Sequence, residues 1–579
     1  MRPLAKTEFE TAQKHHRSGR LRQAERVLAK LLAREPEHAA ALDLLGLIAA
    51  ETGQMDTAVA LIGQAIRLAG PLPSYCAHLG AIFERQRNLL GAIECYRQAA
   101  GGDPGDSPIR WRLANALHQA GHLAESLEHY RAFTALEPSR AEGWFNLAVT
   151  QAALGRAGDA HRSYERALEL DPRHAQAWNN LGILLHHAGR PDRAEEHYRR
   201  ALGADPAYAQ ARYNLGLALQ QAGRLEEAAA EYRRTLRENP AHGEAHNNLG
   251  NVLLAANDPR AARECYRAAI AVSPGHVEAN WNRAIADLLL GDYETGWAGY
   301  EWRFAQPGAV SRHAQAPRWN PQNATSGPVL LWAEQGLGDA LQFIRYAPLV
   351  AEAAGEIFVE CHAPLIPLIE PFVGTGRVFP LGADLPPFAA QIPLMSLPAA
   401  FHTTLDSIPP APYLAAPAAR GVRWAEILEA YPPPRVGLVW AGNPGHKNDR
   451  NRSLPPESLA PLTALPATFF TLQPDAEAPA GVVSLAGHIR DFADTAAAIE
   501  RLDLTISVDT SVAHLAGALG RPIWTLLPHA PDWRWLLDRR DSPWYPSMRL
   551  YRQPSRGDWE SVVREVAADL TAVTRRYRR

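Results

Sequence analysis

A repeat of 34 residues governs the first half of the chain. Pro36, Pro104, Pro138, Pro172, Pro206, Pro240 and Pro274 are spaced by 34 residues or twice 34, with Gly70 in the vacant slot. The same phase carries Ala24, Ala58, Ala92, Ala160, Ala194, Ala228 and Ala262, and Tyr96, Tyr130, Tyr164, Tyr198, Tyr232, Tyr266 and Tyr300. Gly19, Gly53, Gly121, Gly155, Gly189, Gly223 and Gly291 mark a turn in the unit. Apolar residues recur at helical spacing, glycine ends a first helix and proline follows a second, so each unit reads as two amphipathic helices. One such pair cannot bury its apolar face alone, so the units must stack into a solenoid. Nine units run from Ala5 to about Phe304. The first two depart at the tyrosine position (Leu28, Ile62) and the ninth has Gly296 for alanine, as terminal repeats do.

Period, proline, alanine, tyrosine and glycine together resemble the tetratricopeptide repeat. The sixth position of the unit reads Glu10, Leu44, His78, Arg112, Asn146, Asn180, Asn214, Asn248 and Asn282. A side-chain amide both donates and accepts, so a row of asparagines suits an extended peptide held by its backbone. The repeat domain of the nucleocytoplasmic protein O-GlcNAc transferases is similar in carrying an asparagine ladder. Asparagine at this position also serves local packing in such repeats, and the sequence leaves both readings open. A protein or peptide partner in the repeat groove is the broader expectation.

After Phe304 the phase stops. Residues 305–327 are rich in Pro, Gly, Asn and Ser and read as a connector. Beyond it, short apolar runs at 329–334, 356–361, 377–381, 435–441, 468–473, 504–509 and 523–528 alternate with helical patterns. That alternation predicts βαβ units and parallel sheet. A break near 415–433 divides the block into a first half, 328–418, and a second half, 434–579, each Rossmann-like. The expected architecture is therefore an all-α solenoid followed by α/β. A charge of −3 over 579 residues argues against a polybasic nucleic-acid binder. No apolar run approaches the roughly 20 residues of a membrane helix. Four scattered cysteines and the absence of a leader-like N-terminus suggest a reducing cytoplasm.

Three strand-end segments carry chemistry. In 332–349 an apolar strand meets Gly336, Gly338 and Asp339 before a helix, so Asp339 stands either as a helix cap or facing a cleft. In 438–459 a Gly/Asn-rich loop holds Lys447, Arg450 and Arg452, cations that suit a diphosphate or a solvated surface. In 502–528 a strand ends at Asp509, and Thr510 and Ser511 open a helix containing His514, where amides and hydroxyls could hold phosphate oxygens. His514 reads equally as a packed core residue. Gln473 lies at another strand end. Trp533, Trp535, Trp544 and Tyr545 read as core packing or as sugar- and base-stacking rings. Residues 557–576 read as a final helix.

Together these segments resemble the heptosyltransferase-type glycosyltransferases of the B fold. Gly338-Asp339 matches the family's Leu-Gly-Asp turn, whose aspartate is the proposed catalytic base. Arg452-Ser453-Leu454-Pro455 matches its lysine before Trp-Pro, with arginine replacing lysine. Asp509 through Ala516 match its Asp-Thr-x-x-Ala-His-Leu-Ala segment at the nucleotide-sugar site. The resemblance spans about 328–575 and implies two Rossmann-like halves of a B-type glycosyltransferase fold, with a final helix crossing back to the first half. The first half is short, which puts the family's acceptor elements in doubt. Fusion to repeats resembles O-GlcNAc transferases and repeat-bearing bacterial flagellin glycosyltransferases, which implies a protein acceptor recruited by the solenoid.

The resulting expectation is a metal-independent glycosyltransferase with no cofactor. Asp339 would be the catalytic base. Gly338, Lys447, Arg450, Arg452, Gln473, Asp509, Thr510, Ser511 and His514 would bind a nucleotide-sugar donor, with closure of the halves aligning the reactants. Asn146, Asn180, Asn214, Asn248 and Asn282 would hold the peptide. An Asp-x-Asp metal pattern is absent from the sequence. Two alternatives stay open: transfer to a lipid-linked or envelope glycan, and a non-catalytic scaffold with a degenerate transferase domain.

Overall fold

A computed structural model describes residues 3–577 except 310, 324, 447 and 474–476. The chain divides into two compact units, Met1–Glu238 and Asn239–Arg579.

In the first unit seven antiparallel helix pairs follow the 34-residue phase, from Pro3–Arg17 with Leu21–Arg34 to Ala209–Gln221 with Leu225–Glu238. The turn glycines adopt positive φ at the end of each first helix, for example +72° at Gly189 and +77° at Gly223. A β-carbon is disfavoured in that conformation, which explains the glycine at this phase. Where a repeat lacks the glycine, Arg87 takes the same conformation at φ 59°. In the pairs of Tyr96, Tyr198 and Tyr232 the recurrent tyrosine lies against a glycine, whereas Tyr130 and Tyr164 have Ala114 and Ala148 at that position. A Cβ on Gly182 would come within 2.6 Å of the Tyr198 ring, and one on Gly216 within 2.6 Å of Tyr232. Glycine and tyrosine are therefore a matched set: the small residue makes room for the large one.

The second unit begins with two more pairs, Gly243–Ala255 with Pro259–Val272 and Val277–Leu289 with Tyr293–Tyr300. Asn257, at φ 63°, replaces the turn glycine of the first. The rest is α/β, as the alternating pattern predicts. Strands β1 (Val329–Trp332), β2 (Ile357–Cys361), β3 (Val378–Pro380) and β4 (Ala390–Pro393) form a parallel sheet in the order β3-β2-β1-β4. Strands β5 (Arg435–Val439), β6 (Thr468–Thr471), β7 (Val482–Ser484), β8 (Leu504–Val508), β9 (Ile523–Leu527) and β10 (Met548–Arg552) form a second parallel sheet, β10-β9-β8-β5-β6-β7. β4, β7 and β10 are additions to the strands read from the sequence.

Three expectations change. The 305–327 segment is pinned to the first sheet: Trp319 is buried and its N–H donates to Gln391 O at 2.8 Å, and His313 pairs with the buried Glu360 at 2.8 Å. The final helix, Trp559–Arg576, stays on the second half. Its Val562, Val563, Val566 and Leu570 pack with Val436, Leu438 and Leu462. The 415–433 break is itself a helix, Ala418–Leu428, docked on Phe492–Arg501. There the fully buried Asp494 accepts from Arg420 (3.0 Å), Arg423 (3.1 Å), Trp424 (3.1 Å) and Arg490 (2.7 Å).

One hydrophobic core runs through both halves and the last repeat. It joins Leu331 of β1, Val439 of β5, Phe470 of β6 and Leu527 of β9 to Leu288, Tyr293, Trp297 and Tyr300. Trp297 stands edge-on to Phe343 and Trp533, and its indole N–H donates to Thr403 O at 3.1 Å. Trp533, Trp535, Trp544 and Tyr545 are buried core residues.

Candidate functional site

Each sheet has a topological switch point. In the first, β1 is followed by β2 and β3 on one side and β4 on the other. In the second, β5 is followed by β6 and β7 on one side and β8 on the other. Crevices beyond the carboxyl ends of such neighbouring strands are where open α/β sheets bind ligands. Asp339 follows β1, Arg452 follows β5 and Asp509 follows β8. Arg452 donates to the Asp509 backbone O at 3.1 Å and so bridges the second switch point.

The two switch points face each other because two helices touch. The helix Leu337–Phe343 packs against Ser511–Ala518 across the halves. Gly338 permits the approach: a Cβ there would come within 3.0 Å of His514 Cδ2 and 3.5 Å of Ser511 Cα. Nearby, Arg345 of the first half donates to Trp544 O of the second at 3.1 Å. With this contact and a shared core, a large closure is not needed to bring the halves together.

Asp339 accepts the Gly336 N–H at 2.8 Å, which is the capping reading, and also forms an ion pair with Arg534. Arg534 lies in the second half, and the sequence reading missed it because it sits inside an aromatic segment. Its Nε donates to Gln342 Oε1 at 2.6 Å and Nη1 to Asp532 Oδ1 at 2.8 Å, and its guanidinium lies 4.2 Å from the Trp533 ring centre. Burial opposes its charge, but Asp532 and Asp339 outweigh that and hold its pKa above the usual value. Desolvation, reinforced by Asp532, pushes the Asp509 carboxyl up to about 6. Glu334, just before the turn, is also raised by burial despite its 2.9 Å bond to Arg303.

The other expected donor residues divide by role. Arg452 is mostly buried and also contacts Asp449 at 3.3 Å, while Arg450 is exposed on the same loop. Lys447 lies outside the described residues. Thr510 caps Ser511–Ala518 in extended backbone, with its hydroxyl 3.0 Å from Ser507 Oγ, and Ser511 opens the helix half-buried. Gln473 spends its carbonyl on the loop after β5, accepting from Trp440 N–H at 2.8 Å and Ala441 N–H at 3.3 Å. His514 is buried, bonded to Tyr545 OH at 3.0 Å and stacked on Trp535. Burial and then Arg534, Arg345 and Arg452 depress its pKa well below the usual value, so it is neutral and packs the two helices.

The asparagines bond largely to the protein itself. Asn214 is buried and donates to Asn179 Oδ1 at 2.8 Å, Asn180 donates to Tyr164 OH at 3.3 Å, and Asn146 to Asn115 Oδ1 at 3.3 Å. Asn282 donates to Asn247 Oδ1 at 3.1 Å and Asn251 Oδ1 at 2.9 Å, and Asn248 Oδ1 accepts from Asn251 at 3.5 Å. Except for Asn248–Asn251, which lies within one helix, these bonds join different helices, as packing requires. No group of three or more His, Cys, Asp or Glu placed to hold a metal occurs among the described residues. Nor is any described helix long and apolar enough to cross a membrane.

The family model described as tetratricopeptide repeat matches residues 9–73, 112–160, 145–209, 188–242, 213–259 and 247–296. The first 300 or so residues are tetratricopeptide repeats, a class whose stacked surfaces suit protein-protein interaction. The chain is 28% identical over 331 residues to Protein FlbA of Caulobacter vibrioides, across 50% of this chain and 54% of that protein. It thus spans about half the length of this curated relative. Among solved structures it is similar to YrrB, titled a TPR protein with an unusual peptide-binding site (23% identity, TM-score 0.29, 32% of this chain and 97% of that one). It is also similar to the pilF protein of Pseudomonas aeruginosa (21% identity, TM-score 0.33, 36% and 95%). Likenesses of this size carry no functional argument.

Proposed function

We propose that the protein is a glycosyltransferase of B-type architecture that moves a sugar from a nucleotide-activated donor to a protein acceptor recruited by the repeats. One observation carries the reading: Asp339, Arg452, Asp509 and Arg534 converge at the facing switch points of two parallel sheets. The motifs that resemble heptosyltransferase-type enzymes supply those same positions, apart from Arg534.

The donor's diphosphate lies by the second sheet, where Arg452 and Arg450 neutralise it as it becomes the leaving group. Such stabilisation grows in the transition state. Asp509 fixes donor hydroxyls, and Thr510 and Ser511 supply hydroxyls and amides at the helix start. Asp339 takes the acceptor's hydroxyl proton as that oxygen attacks the anomeric carbon. The new carbon–oxygen bond forms as the anomeric carbon–phosphate oxygen bond breaks, and its electron pair leaves on the nucleoside diphosphate. Cationic side chains do this work, and the reading assigns no metal or cofactor. The shared core keeps base and donor site in fixed register.

Release of nucleoside diphosphate from a panel of nucleotide sugars tests the reading, with wild type compared to Asp339→Asn. Release by wild type from one donor, lost in the variant, supports it. Equal turnover in the variant removes Asp339 as base, and no turnover of any donor in the presence of cell protein acceptors favours the scaffold.

A further inference from the structure

Arg534 joins the two halves at the facing switch points, and no sequence motif gave it a task. All three of its nitrogens are engaged: Nε with Gln342, Nη1 with Asp532 and Nη2 with Asp339. Its side chain is only 8% exposed, whereas that of Asp339 is 22% exposed. The arginine is thus held by Gln342 and Asp532, with Trp533 against its face, and its Nη2 meets Asp339, the more exposed member of the pair. Asp339 spends Oδ1 on Arg534 Nη2 and Oδ2 on the Gly336 N–H, so both of its oxygens are engaged while the pair stands. The fork that fits a carboxylate also fits a phosphate.

We propose that Arg534 is a shared cation: the donor's diphosphate displaces Asp339 from its Nη2 edge, and Asp339 becomes an available base only once the donor is bound. This rests on the transferase reading. It deepens that reading by making base activation depend on donor occupancy. Fixing the arginine by Asp532 and Gln342 lets it change one partner without changing place. Competition for one cation is reciprocal: whatever the diphosphate does to Asp339, removing Asp339 does for the diphosphate.

The test is calorimetric titration of UDP, GDP, ADP and CDP into the full-length wild type, Asp339→Asn, Arg534→Met and the double variant. Wild type is expected to bind one of them. Asp339→Asn should bind it about tenfold tighter and Arg534→Met about tenfold weaker. In the double variant the Asp339→Asn gain should vanish, leaving affinity within about twofold of Arg534→Met. Arg534→Lys, which keeps charge but loses the fork, replaces Arg534→Met if that variant does not fold. Unchanged or weaker binding by Asp339→Asn overturns the exchange. So does a gain that persists without Arg534, which is the mark of a mere field effect. In both cases binding by wild type leaves the transferase reading standing. Binding of none of the four by wild type overturns that reading and the exchange with it.

Discussion

The repeats and the α/β block use polar side chains in opposite ways. In the repeats a recurring amide meets a partner 31 or 35 residues away, as Asn146 meets Asn115 and Asn214 meets Asn179. At the crevice Arg534 reaches Gln342 and Asp339 across 192 and 195 residues. The first pattern is a period satisfied by the next copy of itself, and it stabilises a stack. The second exists only because two sheets put their switch points face to face. The recurring amides thus contribute to packing, whereas charges that topology alone assembles call for a function.

The largest effect that would sharpen this contrast is catalytic. Asp339→Asn should lower donor turnover by about 10²–10⁴-fold, the usual worth of a general base, with little change in thermal stability. A loss explained by unfolding would place Asp339 with the packing residues. Next comes Asp494→Ala, which leaves three arginines facing an empty buried site. It should cost about 3–5 kcal/mol in denaturant unfolding. An unchanged midpoint would show that this buried cluster is not structural. In the repeats, Gly182→Val sets a side chain against Tyr198 and should cost about 1–3 kcal/mol while turnover per folded molecule holds. Asn214→Ala removes two side-chain hydrogen bonds, to Asn179 and from Gln210, and should cost about 1–2 kcal/mol without altering acceptor capture. Loss of capture at unchanged stability would return the asparagines to a ligand-binding role.

The smallest expected effect is in pH. Desolvation and Asp532 raise Asp509 to about 6, so folding favours its protonated form. Its stabilising contribution is full below the unfolded carboxyl range and is lost as pH rises through about 6. An anionic nucleotide also prefers the neutral carboxyl. Its affinity should therefore fall as pH rises through that value, by less than about tenfold per pH unit, and Asp509→Asn should flatten the dependence. An identical slope in that variant would assign the titration elsewhere.

The repeats were legible because their period multiplies the evidence: a turn glycine seen seven times needs no structure to interpret it. The α/β alternation was legible from apolar runs, but β4, β7 and β10 were not. β4 ends in Pro393, β7 is three residues long, and β10 alternates Met548, Leu550 and Arg549 as an amphipathic edge. Asp339, Arg452 and Asp509 were found because each lies in the segment that follows an apolar strand. Arg534 was hidden because its neighbours, Trp533 and Trp535, are core residues and mask a lone charge. Gln473 and His514 carried polar groups at strand and helix ends, and only the structure shows those groups bonded inward, to Trp440 and Tyr545.

The most direct test of the account is thermal unfolding of the full-length chain against nucleoside mono- and diphosphates and nucleotide sugars. At 100 times its dissociation constant a bound ligand adds about 2.7 kcal/mol, a readable shift. The account predicts a shift with one nucleotide class, lost in Arg452→Ala and kept in Asn214→Ala. No shift with any of them in well-folded protein, or a shift that Arg452→Ala leaves intact, would contradict a nucleotide site at the facing switch points.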